Sequence, residues 1–114
     1  MLGFNDYQKQ AWELAQYPQS GKNLVYPALG LVGESGEVAE KVKKLWRNQG
    51  IMSADLASED FKTELIKEIS DVLWYAAALA SELGTDLEHV AQVNLDKLNS
   101  RQFRGVIKSE GDNR

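Results

Sequence analysis

The stretch ALGLVGESGEVAEKVKKLWRN, residues 28–48, decides the fold. At about 100° per residue its apolar positions Leu31, Val32, Val38, Ala39, Val42 and Leu45 gather into one broad arc, which is the signature of an amphipathic helix. Pro27 has the fixed φ that suits a first helical turn, and Gly50 closes the far end. Three glycines in the first half (Gly30, Gly33, Gly36) cost roughly 1 kcal/mol each relative to alanine, so another helix or a ligand is expected to approach the backbone there.

Working outward, FKTELIKEISDVLWYAAALASEL, residues 61–83, reads as a second long helix, begun by Ser58 or Asp60 and stopped by Gly84. Between the two lies QGIMSADLASED, a loop with room for one turn. Upstream, Asn5 or Asp6 caps a shorter helix, YQKQAWELAQ, which ends before Tyr17-Pro18, and QSGKN is a loop. Downstream, Thr85 and Glu88 form a capping-box pattern for a helix through about Phe103, and the tail RGVIKSEGDNR reads as irregular. No period-2 alternation or hairpin signal competes, so the chain is predicted to be all-α, a bundle of about four main helices in one domain, 1–114.

Composition narrows the chemistry. The chain has 114 residues, 13 basic against 17 acidic, for a net charge of −4, and this argues against a broad nucleic-acid surface. With no cysteine, disulfides, thiolate metal sites and cysteine nucleophiles are excluded; with one histidine, His89, so are multi-histidine sites within a chain. No apolar run is long enough to span a bilayer and no signal-peptide core is present, so the chain reads as soluble and cytoplasmic, with no membrane partner. A chain this short has little core of its own, and a few long helices are expected to complete it by homo-oligomerisation.

The chemistry-bearing feature is a repeated one. The first long helix carries Glu34 and Glu37, the second Glu68 and Asp71, each pair spaced i, i+3 so that both side chains leave one face. In both helices the first member sits at the edge of the apolar arc and the second about 60° further out. If the arcs face each other, four carboxylates converge on one rim. Like charges at an apolar border need compensation, and without cysteine or a second histidine the compensation that fits is a hard divalent cation, magnesium or manganese. Solvated carboxylates on an ordinary helix face are the alternative. Glu40 and Glu64 read as solvated.

The strings YPALGLVGESGEVAEKVKK, KEISDVLWYAAALASELG and NLDKLNSRQFRGVIKSEGDNR closely resemble the MazG-like nucleoside triphosphate pyrophosphohydrolases of the all-α NTP pyrophosphatase superfamily. That family's ExxE, spacer, ExxD pattern stands here as Glu34/Glu37 and Glu68/Asp71. Glu37-Val38-Ala39-Glu40 offers a second ExxE with a shorter spacer, but the glycine context GESGE and the matched wheel positions favour the first. The resemblance implies magnesium-dependent cleavage of a nucleoside triphosphate between the α and β phosphates, by a dimer or tetramer. Glu34, Glu37, Glu68 and Asp71 are accordingly assigned as metal ligands and Glu34 and Glu37 as catalytic. The wheel makes Glu34 the choice for activating water, because it lies closest to the apolar arc, where desolvation raises basicity. The phosphoribosyl-ATP pyrophosphohydrolases share the metal logic and come second, because the tail looks MazG-like. A non-catalytic oligomeric helical scaffold is the reading from another class.

Asn94, Lys97 and Arg101 fall on one stripe of the last helix, which Arg104 would extend; it is a solvated basic face or a phosphate site, and NLDKLNSR matches the family's NxxKxxxR. Trp46 and Trp74 are candidates for stacking on a base, although a tryptophan on a small bundle more often serves core or interface. Tyr75 lies near the Glu68/Asp71 stripe, where its hydroxyl can reach a phosphate or carboxylate, and Lys22-Asn23 could line the nucleotide pocket. Trp12 and Tyr26 read as packing residues, His89 as a surface one.

Overall fold

In the computed structural model, which describes residues 1–105 and 111–112, the chain is all-helical: α1 Phe4–Glu13, α2 Val25–Gln49, α3 Glu59–Glu82 and α4 Leu87–Phe103. A single 3-10 turn, Ala54–Leu56, interrupts the α2–α3 loop. Most of the tail whose irregularity the sequence suggested lies outside the described residues. No helix among those described is long and apolar enough to cross a membrane.

The two long helices end where their glycines allow. Gly50 takes a left-handed conformation (φ 67°) and its N–H returns to the Trp46 carbonyl, while Gly84 (φ 71°) closes the end of α3. Ser58 caps α3 by accepting the Phe61 N–H at 3.1 Å. Two caps differ from expectation. Gly3 rather than Asn5 or Asp6 is the N-cap of α1, and Asp6 reaches back to accept the Gly3 N–H. Asp86 rather than Thr85 caps α4, accepting the His89 N–H at 2.7 Å. Asn5 is used elsewhere: its amide oxygen accepts the Glu88 N–H, and its nitrogen donates to the Glu88 carboxylate. α1 also ends three residues early, because Tyr17 is drawn into the body of the protein and the chain must turn to place it.

α2 packs along α3, and α1 packs against α3 and α4. The core sits where three helices meet, around Ala77, Ala80 and Leu87, with Tyr7, Leu73 and Ala76 against it. The small side chains of Ala77, Ala78 and Ala80 let α1 and α4 approach α3 closely. Gln8 ties this junction, donating to Ser81 Oγ and the Thr85 carbonyl and accepting the Leu87 N–H.

The apolar arc of α2 does not pack as one surface. Leu31, Val38 and Leu45 are half-buried on the α3 side with Pro27 fully buried, whereas Val32, Ala39 and Val42 are exposed. The exposed part forms a regular stripe, Ala28, Val32, Ser35, Ala39, Val42 and Trp46, at alternating spacings of four and three residues. Val32 is 71% and Trp46 58% exposed, and Ile66 of α3 is 65% exposed. Accordingly the chain exposes 8483 Å², where a monomer of this mass ordinarily exposes about 6,200 Å². Its radius of gyration is 16.9 Å against about 13 Å for a compact chain of this length.

Candidate metal and nucleotide site

Because only half of the α2 arc faces α3, Glu34 stands within the interhelical face rather than at its edge. It is half-buried, as is Glu68 across from it, and Asp71 follows one turn along α3 at the exposed rim. One carboxylate oxygen from each of Glu34, Glu68 and Asp71 lies within 4.8 Å of the others. Burial first, and then the charges of Asp71, Glu68 and Glu37, push the Glu34 carboxyl above its ordinary range. Glu37 is therefore close enough to be felt, but its side chain is exposed and its oxygens lie outside the group of three. Glu40 turns away to pair with Lys43 and Lys44, and Glu64 pairs with Lys67.

The three oxygens form a donor set of the kind hard divalent cations take, all carboxylate with no nitrogen or sulfur. Lys41 Nζ, 3.9 Å from Glu68 Oε1, offsets only part of the negative charge. Lys41 was not singled out from the sequence. The signal was there: it stands seven residues after Glu34, only about 20° away on the wheel.

Aromatic rings wall the site on one side. Tyr75 lies one turn past Asp71, with its ring against the backbone of Gly30, where a Cβ would meet Tyr75 Cε1 at 2.2 Å. This accounts for one of the three α2 glycines; a Cβ on Gly33 or Gly36 would meet nothing within 4 Å. Burial raises the Tyr75 phenol, and the neighbouring Tyr26 adds to this together with the charges of Glu34 and Asp71. Tyr7, from α1, is raised first by burial and then by the charge of Asp71. Trp74 meets Tyr75 edge-on at 5.1 Å and Tyr17 at 6.4 Å, and Tyr26 stacks on Tyr17 at 5.0 Å. Tyr17, Tyr26, Trp74 and Tyr75, with Gln16 and Pro18, line an open cavity of about 320 Å³.

The loop that forms the rim of this cavity is tied to α3 through one side chain. The Glu82 carboxylate takes the Tyr17 hydroxyl and the N–H groups of Gly21 and Asn23. Burial works to raise Glu82, yet these three hydrogen bonds outweigh it and hold the carboxyl below its usual range. The Asn23 side chain is occupied as well, accepting the Val25 and Tyr26 N–H groups at the start of α2, while Lys22 stays exposed.

Other expected residues stand apart. Trp46 is about 120° round α2 from Glu34, on the exposed stripe. On α4, Asn94 is exposed, Lys97 half-buried and Arg101 buried, and among the described residues no hydrogen bond or ion pair joins them to the carboxylates. His89 is exposed.

A family model described as MazG nucleotide pyrophosphohydrolase domain matches residues 25–104, a span that contains all three clustered carboxylates and the α4 stripe. Gene 37 protein of Mycobacterium phage L5 is 43% identical over 113 residues, covering 95% of this chain and 96% of that protein. No solved structure matches.

Proposed function

The chain belongs to the MazG nucleotide pyrophosphohydrolase family, and from that premise we propose that it is a magnesium-dependent hydrolase that splits a nucleoside or deoxynucleoside triphosphate between the α and β phosphates. The products are the monophosphate and pyrophosphate. The observation that carries this reading is the convergence of Glu34, Glu68 and Asp71 on one point of the α2–α3 face, at an electrostatic cost that nothing among the described residues fully offsets. Glu37, one turn from Glu34, is assigned as a fourth ligand, reached by a change of rotamer. Glu34, Glu68 and Asp71 would hold a divalent cation, magnesium or its substitute manganese, which would supply the positive charge an acidic pocket needs to accept a triphosphate and stabilise the leaving pyrophosphate. Glu34, half-buried beside Glu68 and Asp71, is assigned to orient and deprotonate the attacking water. The cavity between Tyr26, Trp74 and Tyr75 offers the base a flat apolar wall, and the Tyr75 hydroxyl is placed to meet a phosphate. Lys97 and Arg101, with Asn94, are assigned to the outer phosphates.

The proposal includes a cytoplasmic homodimer or homotetramer. Supporting it, the area in excess of a compact monomer is on the order of 2,000 Å², more than the roughly 800 Å² each partner gives to an ordinary interface. The α2 stripe also has the four-three spacing with which one helix seats against another.

Assaying pyrophosphate release from a panel of ribo- and deoxyribonucleotides, with magnesium and with chelator, tests the reaction. Release of orthophosphate in place of pyrophosphate refutes it. Calorimetric titration with manganese tests the site: Glu34→Gln and Asp71→Asn should each abolish or severely weaken binding. Unchanged binding in both would leave the scaffold reading standing.

A further inference from the structure

The C-terminal end of the described chain returns to α4. Asp112 places Oδ1 3.3 Å from Lys97 Nζ and 3.2 Å from Arg101 Nη2, and its backbone carbonyl accepts another bond from Arg101 at 2.9 Å. One carboxylate oxygen thus bridges two of the three residues assigned to phosphate. The two sides of this contact differ in character. Arg101 is only 4% exposed with the Asp112 carbonyl and carboxylate seated on its guanidinium, a buried cation that is already paired. The Asp112 side chain is 82% exposed, and its bridging distances exceed the roughly 2.8 Å of a tight charge-assisted bond. A built-in cation facing a loosely held, exposed anion is an arrangement suited to exchange of the anion.

We propose that Asp112 is a resident competitor for polyphosphate: its carboxylate occupies the Lys97–Arg101 anion site, and a triphosphate or pyrophosphate enters by displacing it. The inference rests on the assignment of Lys97 and Arg101 to phosphate. A polyphosphate carries about four negative charges against one on Asp112, so the exchange favours the substrate while Asp112 keeps the cations satisfied when no nucleotide is present.

The test is an NMR titration of the full chain with inorganic pyrophosphate, without divalent metal, which reads millimolar affinities. In the wild type, pyrophosphate should shift the Asp112 amide resonance as its carboxylate is displaced. Asp112→Asn and Asp112→Ala should bind pyrophosphate about two- to fivefold more tightly, as expected for one exposed ion-pair partner. In the magnesium assay both should lower KM by the same factor with kcat unchanged. Weaker or unchanged pyrophosphate binding in both variants overturns the competition, as does absence of binding throughout. Lys97→Ala separates the two layers. If it binds pyrophosphate as well as the wild type, the phosphate site itself is refuted; if it loses binding while the Asp112 variants show no gain, only the competition is.

Discussion

Replacing Gly30 with alanine should destabilise the protein, although alanine is the better helix former. A methyl group at Gly30 would sit 2.2 Å from Tyr75 Cε1 and 2.5 Å from Cδ1 and Cζ, well inside van der Waals contact with a ring hemmed in by Trp74 and Tyr26. Forcing such an overlap costs about 1–3 kcal/mol, against which the helix gains about 1 kcal/mol from losing a glycine. Gly33→Ala, whose added carbon meets nothing within 4 Å, collects the same helix gain without the overlap. The two variants should therefore differ by the overlap alone, about 1–3 kcal/mol, or at about 4 °C per kcal/mol roughly 4–12 °C in Tm at matched protein concentration. A double-mutant cycle sharpens the point. In a Tyr75→Ala background the clash partner is gone, so Gly30→Ala should turn from destabilising to stabilising, by about 1 kcal/mol in urea denaturation. If Gly30→Ala raises Tm as much as Gly33→Ala does, Tyr75 does not lie against α2, and its place beside Glu34 and Asp71 is wrong.

Three further outcomes are expected. Because Glu34 binds its proton more tightly folded than unfolded, the metal-free protein should lose stability as pH rises from the ordinary glutamate range through the raised value; urea midpoints of Glu34→Gln should lack this decline, and parallel curves for the two proteins would remove the charge repulsion from the account. Asp in place of Val32 or Val42 puts charge into the exposed α2 stripe and should shift light-scattering mass to a single chain, whereas an unchanged assembly would place the interface elsewhere. Glu82→Gln should speed hydrogen exchange at the Gly21 and Asn23 amides relative to amides in the middle of α3, and equal protection in both proteins would show that the loop is held by something other than this acceptor.

The helices were legible because they are long, periodic and punctuated: Gly50, Ser58 and Gly84 end or begin elements where the sequence says they should. The misses are tertiary. Asn5 has the chemistry of a local cap, yet its amide serves the start of α4, eighty-three residues away. Thr85 and Asp86 are adjacent cap formers, and the pattern alone does not choose between them. The apolar arc of α2 is wider than one neighbour can cover, so its periodicity could not tell the half that meets α3 from the half left exposed. That same ambiguity hid the site's composition. Glu37 and Asp71 occupy equivalent wheel positions, and only the packing draws Asp71 into the cluster and leaves Glu37 outside it. The Glu82 clamp and the Asp112 bridge left no trace in spacing, since each joins segments far apart in the chain or a helix to its own tail.

Glu34, Glu68 and Asp71 all spring from mid-helix positions, not from a loop. The gap between their oxygens is thereby a read-out of the separation of two rods, as the jaws of a caliper report the setting of its slide. A methylene added to or removed from Leu31, Val38 or Leu45 alters that setting without touching a donor atom. For the cation proposed above, preference between ions of slightly different radius would in this way be adjustable from apolar residues that carry no ligand atom.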